Sequence, residues 1–179
     1  MKSKFQELAS LGAGEFEHLD GTLVDHLMGT MGLLKEWGAI SELQDAGLFH
    51  AAYGTAGFDE CMISLERRRD IARIIGTRSE EIVYEYCACD RNIFFSRLGK
   101  GKRPIFKNRF SDEEYYLTDE MLEMFCELTA ANELEISIDN LPFKAENGLA
   151  LNKLFLRMAP YLSNAAKAAV EKEFGGENA

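Results

Sequence analysis

Histidine is the scarce residue of this chain: there are three in 179 residues, and none after position 50. Proline is as rare, with three, and tryptophan occurs once. Few prolines leave long stretches free to wind into helix, since proline removes a backbone donor and clashes with the preceding turn. No apolar run approaches the roughly 20 residues that cross a bilayer. The opening MKSKFQELASLGAGEFEH breaks its apolar character with charge too early for a secretory leader. A cytoplasmic bacterial protein with no membrane partner is the expectation. None of the four cysteines (Cys61, Cys87, Cys89, Cys126) makes a Cys-x-x-Cys pair, which argues against a zinc knuckle or a thioredoxin-type motif. Free, mostly buried thiols are expected instead.

Positive charge is also in deficit. A net charge of −10 repels nucleic acid and anionic membranes over most of the surface, so nucleic acid is not an expected partner. The arginines of 67–73 read as a solvated helix face paired with Glu66 and Asp70. One segment runs against the trend: Arg91, Arg97, Lys100, Lys102, Arg103, Lys107 and Arg109 follow one another with no acid between them. Its centre, SRLGKGKRP, has the glycines and proline of a loop. It reads either as a solvated surface loop or as an anion-attracting lid, and spacing does not separate the two.

What is present is helical periodicity. The apolar fraction of 46% and the absence of sustained two-residue alternation predict an all-α fold, a single helical bundle of about six to eight helices. The whole chain, 1–179, reads as one domain with its core at about 16–140 and C-terminal helices over 149–174 packing on it. Asp20 to Gly38 forms the first strong helix, capped by Asp20 and ended by Gly38. Further helices are expected at Ser41–Tyr53 and Leu65–Ile75. Another follows from Thr77, where Thr77 and Glu80 have capping-box spacing, to Asp90. Thr118 caps a long helix to Ile138, Leu-Pro-Phe at 141–143 breaks it, and two helices separated near Pro160 finish the chain. The tail EFGGENA is expected to fray.

Several polar residues fall inside the apolar stripes. At about 100° per residue, His26 shares a face with Leu23, Thr30, Leu33 and Trp37, while Asp25 turns toward the surface. His50 shares its face with Leu43, Ala46, Gly47 and Tyr53. Asp90 aligns with Val83, Tyr86 and Cys87, and Asn132 with Phe125, Leu128, Thr129 and Ile136. A lone inward histidine is ordinarily a satisfied structural one. Two on successive helices, together with an inward carboxylate and amide, are costly unless they pair or serve a site.

The residues that carry a family resemblance are His26 in a helix ending Trp-Gly-Ala, then Ala-Gly-Leu-Phe-His, Tyr-Gly-Thr after the second histidine, and Ala-Asn at 131–132. Over roughly Phe16 to Ile138 this pattern resembles the HD-domain superfamily, in particular a group of uncharacterised bacterial HD-like proteins related in pattern to the HD-type oxygenases. The resemblance makes His26 the first ligand position and His50 the histidine of the His-Asp pair. Ala51 stands where that pair has its metal-binding aspartate, and Asn132 stands where a late helix has the final aspartate. The further histidines of a di-iron site have no counterpart, and a divalent ion is left with too few anionic ligands.

Two functional expectations follow. In the first, a divergent HD-type pocket is a small-molecule enzyme in which His26 and His50 perform metal-independent general acid–base catalysis on a polar or anionic substrate. Asp90 orients an imidazole or stabilises its charged form, and His18, Thr22, Tyr53, Thr55, Arg91 and Asn132 hold the substrate. No cofactor is favoured. The metal-dependent variant, an oxygenase or hydrolase, has a single iron, manganese or zinc ion on His26 and His50 with His18 or Asp90. In the second, the fold is a catalytically inactive HD-like module for binding a ligand or a partner. The polar inventory favours the enzyme. Substrate and reaction type are open, as is whether the chain forms a homodimer.

Overall fold

The computed structural model describes residues 4–10, 17–18, 21–56 and 62–175. Within them the chain is all-α, as its periodicity predicts. The helices are α1 (Lys4–Ser10), α2 (Leu23–Glu36), α3 (Ser41–Phe49), α4 (Arg68–Ile75), α5 (Thr77–Ala88), α6 (Arg91–Arg97), α7 (Asp119–Asp139), α8 (Leu141–Met158) and α9 (Asn164–Phe174). Two short antiparallel ribbons that the sequence did not announce accompany them. One pairs β1 (Glu17–His18) with β2 (Gly21–Thr22), the other β3 (Phe106–Lys107) with β4 (Glu114–Tyr115). Among the described residues no helix is long and apolar enough to cross a membrane.

Local signals set most of the helix ends. Leu23, His26, Leu27, Thr30 and Leu34 form the buried stripe of α2. Gly38 stops the helix with φ of 74°, and the amides of Gly38 and Ala39 return to the carbonyls of Lys35 and Leu34, a left-handed terminus that glycine adopts without steric cost. Asp20, the expected cap, lies outside the described residues. The hydroxyl of Thr118 accepts the Met121 amide at 3.1 Å and starts α7 as expected. Asn140 then accepts the Phe143 amide at 2.8 Å, and Pro142 sits in the first turn of α8, where no donor is required. The Leu-Pro-Phe break is thus itself a helix start, and α8 begins at 141 rather than 149.

Other expectations fail for tertiary reasons. α3 ends at Phe49, not Tyr53. Tight turns follow, with Ala52 N bonded to Phe49 O and Gly54 N to Ala51 O, and they bury Ala51, Ala52 and Tyr53 together. The Thr77–Glu80 capping box does not form, since α5 has no side-chain cap. Glu80 is instead buried and holds Arg68 through Nε (2.6 Å) and Nη2 (2.9 Å) while accepting the Tyr53 hydroxyl at 2.8 Å. The tail is ordered further than expected, because Phe174 is fully buried against Phe155, ring centroids 5.3 Å apart. Residues 176–179 lie outside the described part.

The basic segment is neither a free loop nor a lid. It opens as α6, turns through Gly99 and Gly101 at positive φ, and enters β3. Arg97 reaches Glu114, Arg103 reaches Asp119, and Lys107 reaches Asp112, so acids on either side neutralise much of it. The arginines before it divide: Arg67 and Arg73 pair with Asp70 on the surface as expected, but Arg68 turns inward to Glu80.

In the packing, α2 lies between α3 and α7, α3 rests on α5, and α7 carries α8 and α9 on its other side. Phe94, Phe106 and Phe125 form an aromatic knot between α6, β3 and α7. Cys87, Cys89 and Cys126 are free and buried.

Two outcomes follow. Glu80→Gln keeps the shape but leaves Arg68 and Tyr53 without their shared carboxylate. Because Arg68 is partly solvated, the expected loss in urea unfolding is about 2–3 kcal/mol; a loss within experimental error would show the network to be dispensable. Burial pushes the Cys87 thiol up to about 12 and raises those of Cys89 and Cys126 as well. In a Cys61→Ser chain a thiol-specific chromogenic reagent should therefore label none of them in the native state and all of them in denaturant.

Candidate functional site

α2 and α7 cross where two i, i+3 pairs meet. On α2 the pair is His26 and Gly29; on α7 it is Asn132 and Glu135, each pair lying on one helix face. The missing side chain at Gly29 makes the contact possible, because a Cβ there would stand 2.6 Å from Glu135 Oε1. Through that gap the Glu135 carboxylate reaches His26 Nδ1. The other ring nitrogen, Nε2, lies 3.1 Å from Asn132 Oδ1. The amide of Asn132 is oriented by its own neighbour, since Nδ2 donates to Glu133 Oε1 at 3.0 Å. A flipped amide would set oxygen against carboxylate. His26 therefore presents both ring nitrogens to oxygen atoms of α7.

His50 closes α3 and is buried. Its Nδ1–H donates to the Gly47 carbonyl at 2.7 Å, which fixes the tautomer and puts the lone pair on Nε2. Cys87 donates its thiol proton to the His50 carbonyl at 3.1 Å and ties α5 to this turn. The two imidazoles meet edge to face, with centroids 5.1 Å apart and planes at 86°. Tyr86 stands on the far side of His50 in the same relation, at 5.6 Å.

One buried hydroxyl lies near the pair without a hydrogen-bond partner: Thr30 Oγ1, one turn along α2 from His26. Burial raises the Tyr86 phenol well above its ordinary range, so it stays protonated. A buried hydroxyl left unpaired costs about 1–3 kcal/mol, and such atoms mark places where a polar ligand or water belongs.

The residues expected at the site divide into three groups. His26, His50 and Asn132 come together. Arg91 lies one layer out: its guanidinium is 5.0 Å from the Tyr86 ring centroid, and Nη1 is 3.6 Å from Glu133 Oε1. Asp90 is not on the α5 stripe, because α5 ends at Ala88. It caps α6 by accepting the Ile93 amide at 3.1 Å, so it does not orient a histidine. Glu135 holds that place, and sequence reasoning missed it because its position on the α7 wheel gave no sign of the gap at Gly29. Tyr53 belongs to the Glu80–Arg68 network, where burial and Glu80 raise its phenol further. Thr55 is buried in the turn that follows. His18 and Thr22 sit on the β1–β2 ribbon just before α2, and their side chains lie outside the described residues.

The described donors do not fit a divalent ion on His26, His50 and Asp90. A ligand histidine turns a lone pair to the metal, whereas both nitrogens of His26 face oxygen acceptors and Asp90 is engaged at α6. Ala51 supplies no oxygen, and among the described residues no three His, Cys, Asp or Glu side chains converge.

Two cavities lie near these elements. One, of about 330 Å³, is lined by Ala56, Asp90, Arg91, Asn92 and Arg109, and neither histidine lines it. The other, of about 490 Å³, lies past the far end of α2 between Trp37, Met124 and Tyr161 and includes none of the candidate residues.

Comparison with known proteins adds one match. A family model described as a domain of unknown function (DUF6817) matches residues 7–91, a little under half of the chain and inclusive of both histidine helices. No curated protein and no solved structure matches.

The Gly29 gap gives a direct test. Gly29→Ala should push the Glu135 carboxylate off His26 and cost about 1–3 kcal/mol of stability from overpacking. Nitrogen-15 spectra of the imidazoles should show the environment of His26 Nδ1 changed and that of His50 unchanged. Unchanged His26 signals would mean that Glu135 reaches the ring without this gap.

Proposed function

We propose that the chain is a divergent HD-type domain acting as a small-molecule enzyme by metal-independent acid–base catalysis. The observation that carries this reading is the asymmetry between two touching histidines. His26 is bracketed by the oxygens of Glu135 and Asn132 and suits the imidazolium form. His50 gives its Nδ1 proton to a backbone carbonyl and meets His26 edge to face. Paired titratable groups in opposed environments are how one site supplies an acid and a base at the same pH.

In this scheme His50 Nε2 takes a proton from the substrate, and His26 delivers one to the group that gains electron density. Glu135 compensates the charge on His26 while it is protonated. Asn132 holds the ring in register and is itself held by Glu133. In this scheme the unpaired hydroxyl of Thr30 is a support for a polar atom of a substrate. Ala51 and the occupied nitrogens of His26 favour the metal-free form over a single iron, manganese or zinc ion.

The test has two parts. Protein purified without chelator should contain metal far below one equivalent, with the same content in His26→Ala and His50→Ala. Iron, manganese or zinc at one equivalent that disappears in both variants would overturn the metal-free form. Incubated with a mixture of small polar and anionic metabolites and read by mass spectrometry, the wild type should deplete a compound that His50→Ala depletes about 10²–10⁴-fold more slowly. Equal depletion by both proteins would sink the catalytic reading.

A further inference from the structure

We infer that the cavity between the turn after α3 and the start of α6 is an anion site, taking a small molecule that carries a carboxylate or phosphate beside a hydroxyl or amine. The inference deepens the acid–base reading by naming its substrate class, and it rests on that reading only where it makes the bound molecule a substrate.

Arg109 carries the argument. Of the cations in the segment from 91 to 109, Arg91, Arg97, Arg103 and Lys107 each reach a carboxylate. Arg109 does not. Its Nε donates to the Cys87 carbonyl at 2.7 Å and its Nη2 to the Gly54 carbonyl at 3.1 Å. The guanidinium stacks over the Phe110 ring at 4.5 Å. Neutral oxygens and an aromatic face hold it still, and among the described residues no acid neutralises it. In a chain of net charge −10, a fixed guanidinium that faces a cavity and meets no acid is a local reversal of the field.

Arg91 supplies the second wall. Its Nε is buried with no hydrogen-bond partner, and its ion pair with Glu133 is loose, at 3.6 Å. A planar guanidinium suits the paired oxygens of carboxylate or phosphate. Asn92 adds an amide at the exposed edge. Asp90, held by the Ile93 amide, places a carboxylate on the same wall. That carboxylate repels a ligand that is anionic throughout and accepts a hydrogen bond from a hydroxyl or ammonium next to the anionic group. The volume, about 330 Å³, sits at the lower end of small-molecule pockets.

Calorimetric titration of the full chain with sodium phosphate and, separately, with sodium glycolate tests the site. Saturable binding of at least one is expected; phosphate alone would assign a phosphorylated ligand, glycolate alone a hydroxy acid. Arg109→Gln should weaken that binding at least about ten-fold. Because Arg109 also holds two carbonyls, Asn92→Glu is the control for folding: the position is exposed, and the added charge at the mouth should weaken anions to a similar degree. Lack of saturation by either anion, or wild-type affinity in Asn92→Glu, overturns the inference. His50→Ala should bind the anion as the wild type does. Binding intact with turnover equal in wild type and His50→Ala would therefore fail the acid–base reading alone, and turnover without anion binding would fail the anion site alone.

Discussion

The crossing of α2 and α7 at Gly29 is the constraint on which the rest depends. An imidazole among leucines is expensive unless each nitrogen finds a partner. Here both partners come from one face of the other helix, one turn apart. The arrangement requires the helices to approach closely where the carboxylate passes and to hold register elsewhere. Gly29 provides the first condition. The second is met by the helix ends, with α2 stopped by Gly38 and α7 started by Thr118. Shifting either helix by one residue would rotate its pair by about 100° and leave His26 against hydrocarbon.

His50 is placed by a different device. It caps its own helix, and three separate groups fix the turn that follows: the Gly47 carbonyl on its ring, the Cys87 thiol on its backbone, and Arg109 on the Gly54 carbonyl. Arg109 thus joins the turn after α3 to the end of α5, and the same guanidinium faces the cavity beside Arg91. The structural and chemical uses of that turn are not separable. This accounts for a short irregular segment being among the most buried parts of the chain.

Much of the fold was legible because its helices obey local rules. The stripes of α2 and α7, the stop at Gly38, the start at Thr118 and the inward aim of His26, His50 and Asn132 all come from side-chain type and spacing within one segment. What was not legible depends on other segments. Glu80 has the spacing of a capping residue, yet a half-buried Arg68 and a buried Tyr53 compete for it and win, since two charge-assisted bonds outweigh one cap. Asp90 falls on the α5 wheel only if α5 continues, and the chain breaks at Cys89, where a bridge to Asn108 takes the backbone. Glu135 looks like one more acid on a partly solvated face until Gly29 is seen opposite it. A helical wheel shows the direction of a side chain and says nothing of the space that awaits it.

That limit bears on how the missing aspartates are understood. In the sequence, Ala51 and Asn132 stand where the HD pattern that the chain resembles has aspartates. In three dimensions a carboxylate remains at the centre but sits on an imidazole nitrogen. Ala51 is buried in a tight turn, and Asn132 gives the other nitrogen of His26 a neutral acceptor that Glu133 keeps oriented. On the acid–base reading, acidity is held on a nitrogen and not on an ion. Such a site needs a carboxylate on the ring instead of on an ion, and a second histidine whose tautomer is set independently. Glu135 and the Gly47 carbonyl meet those two needs from two different helices.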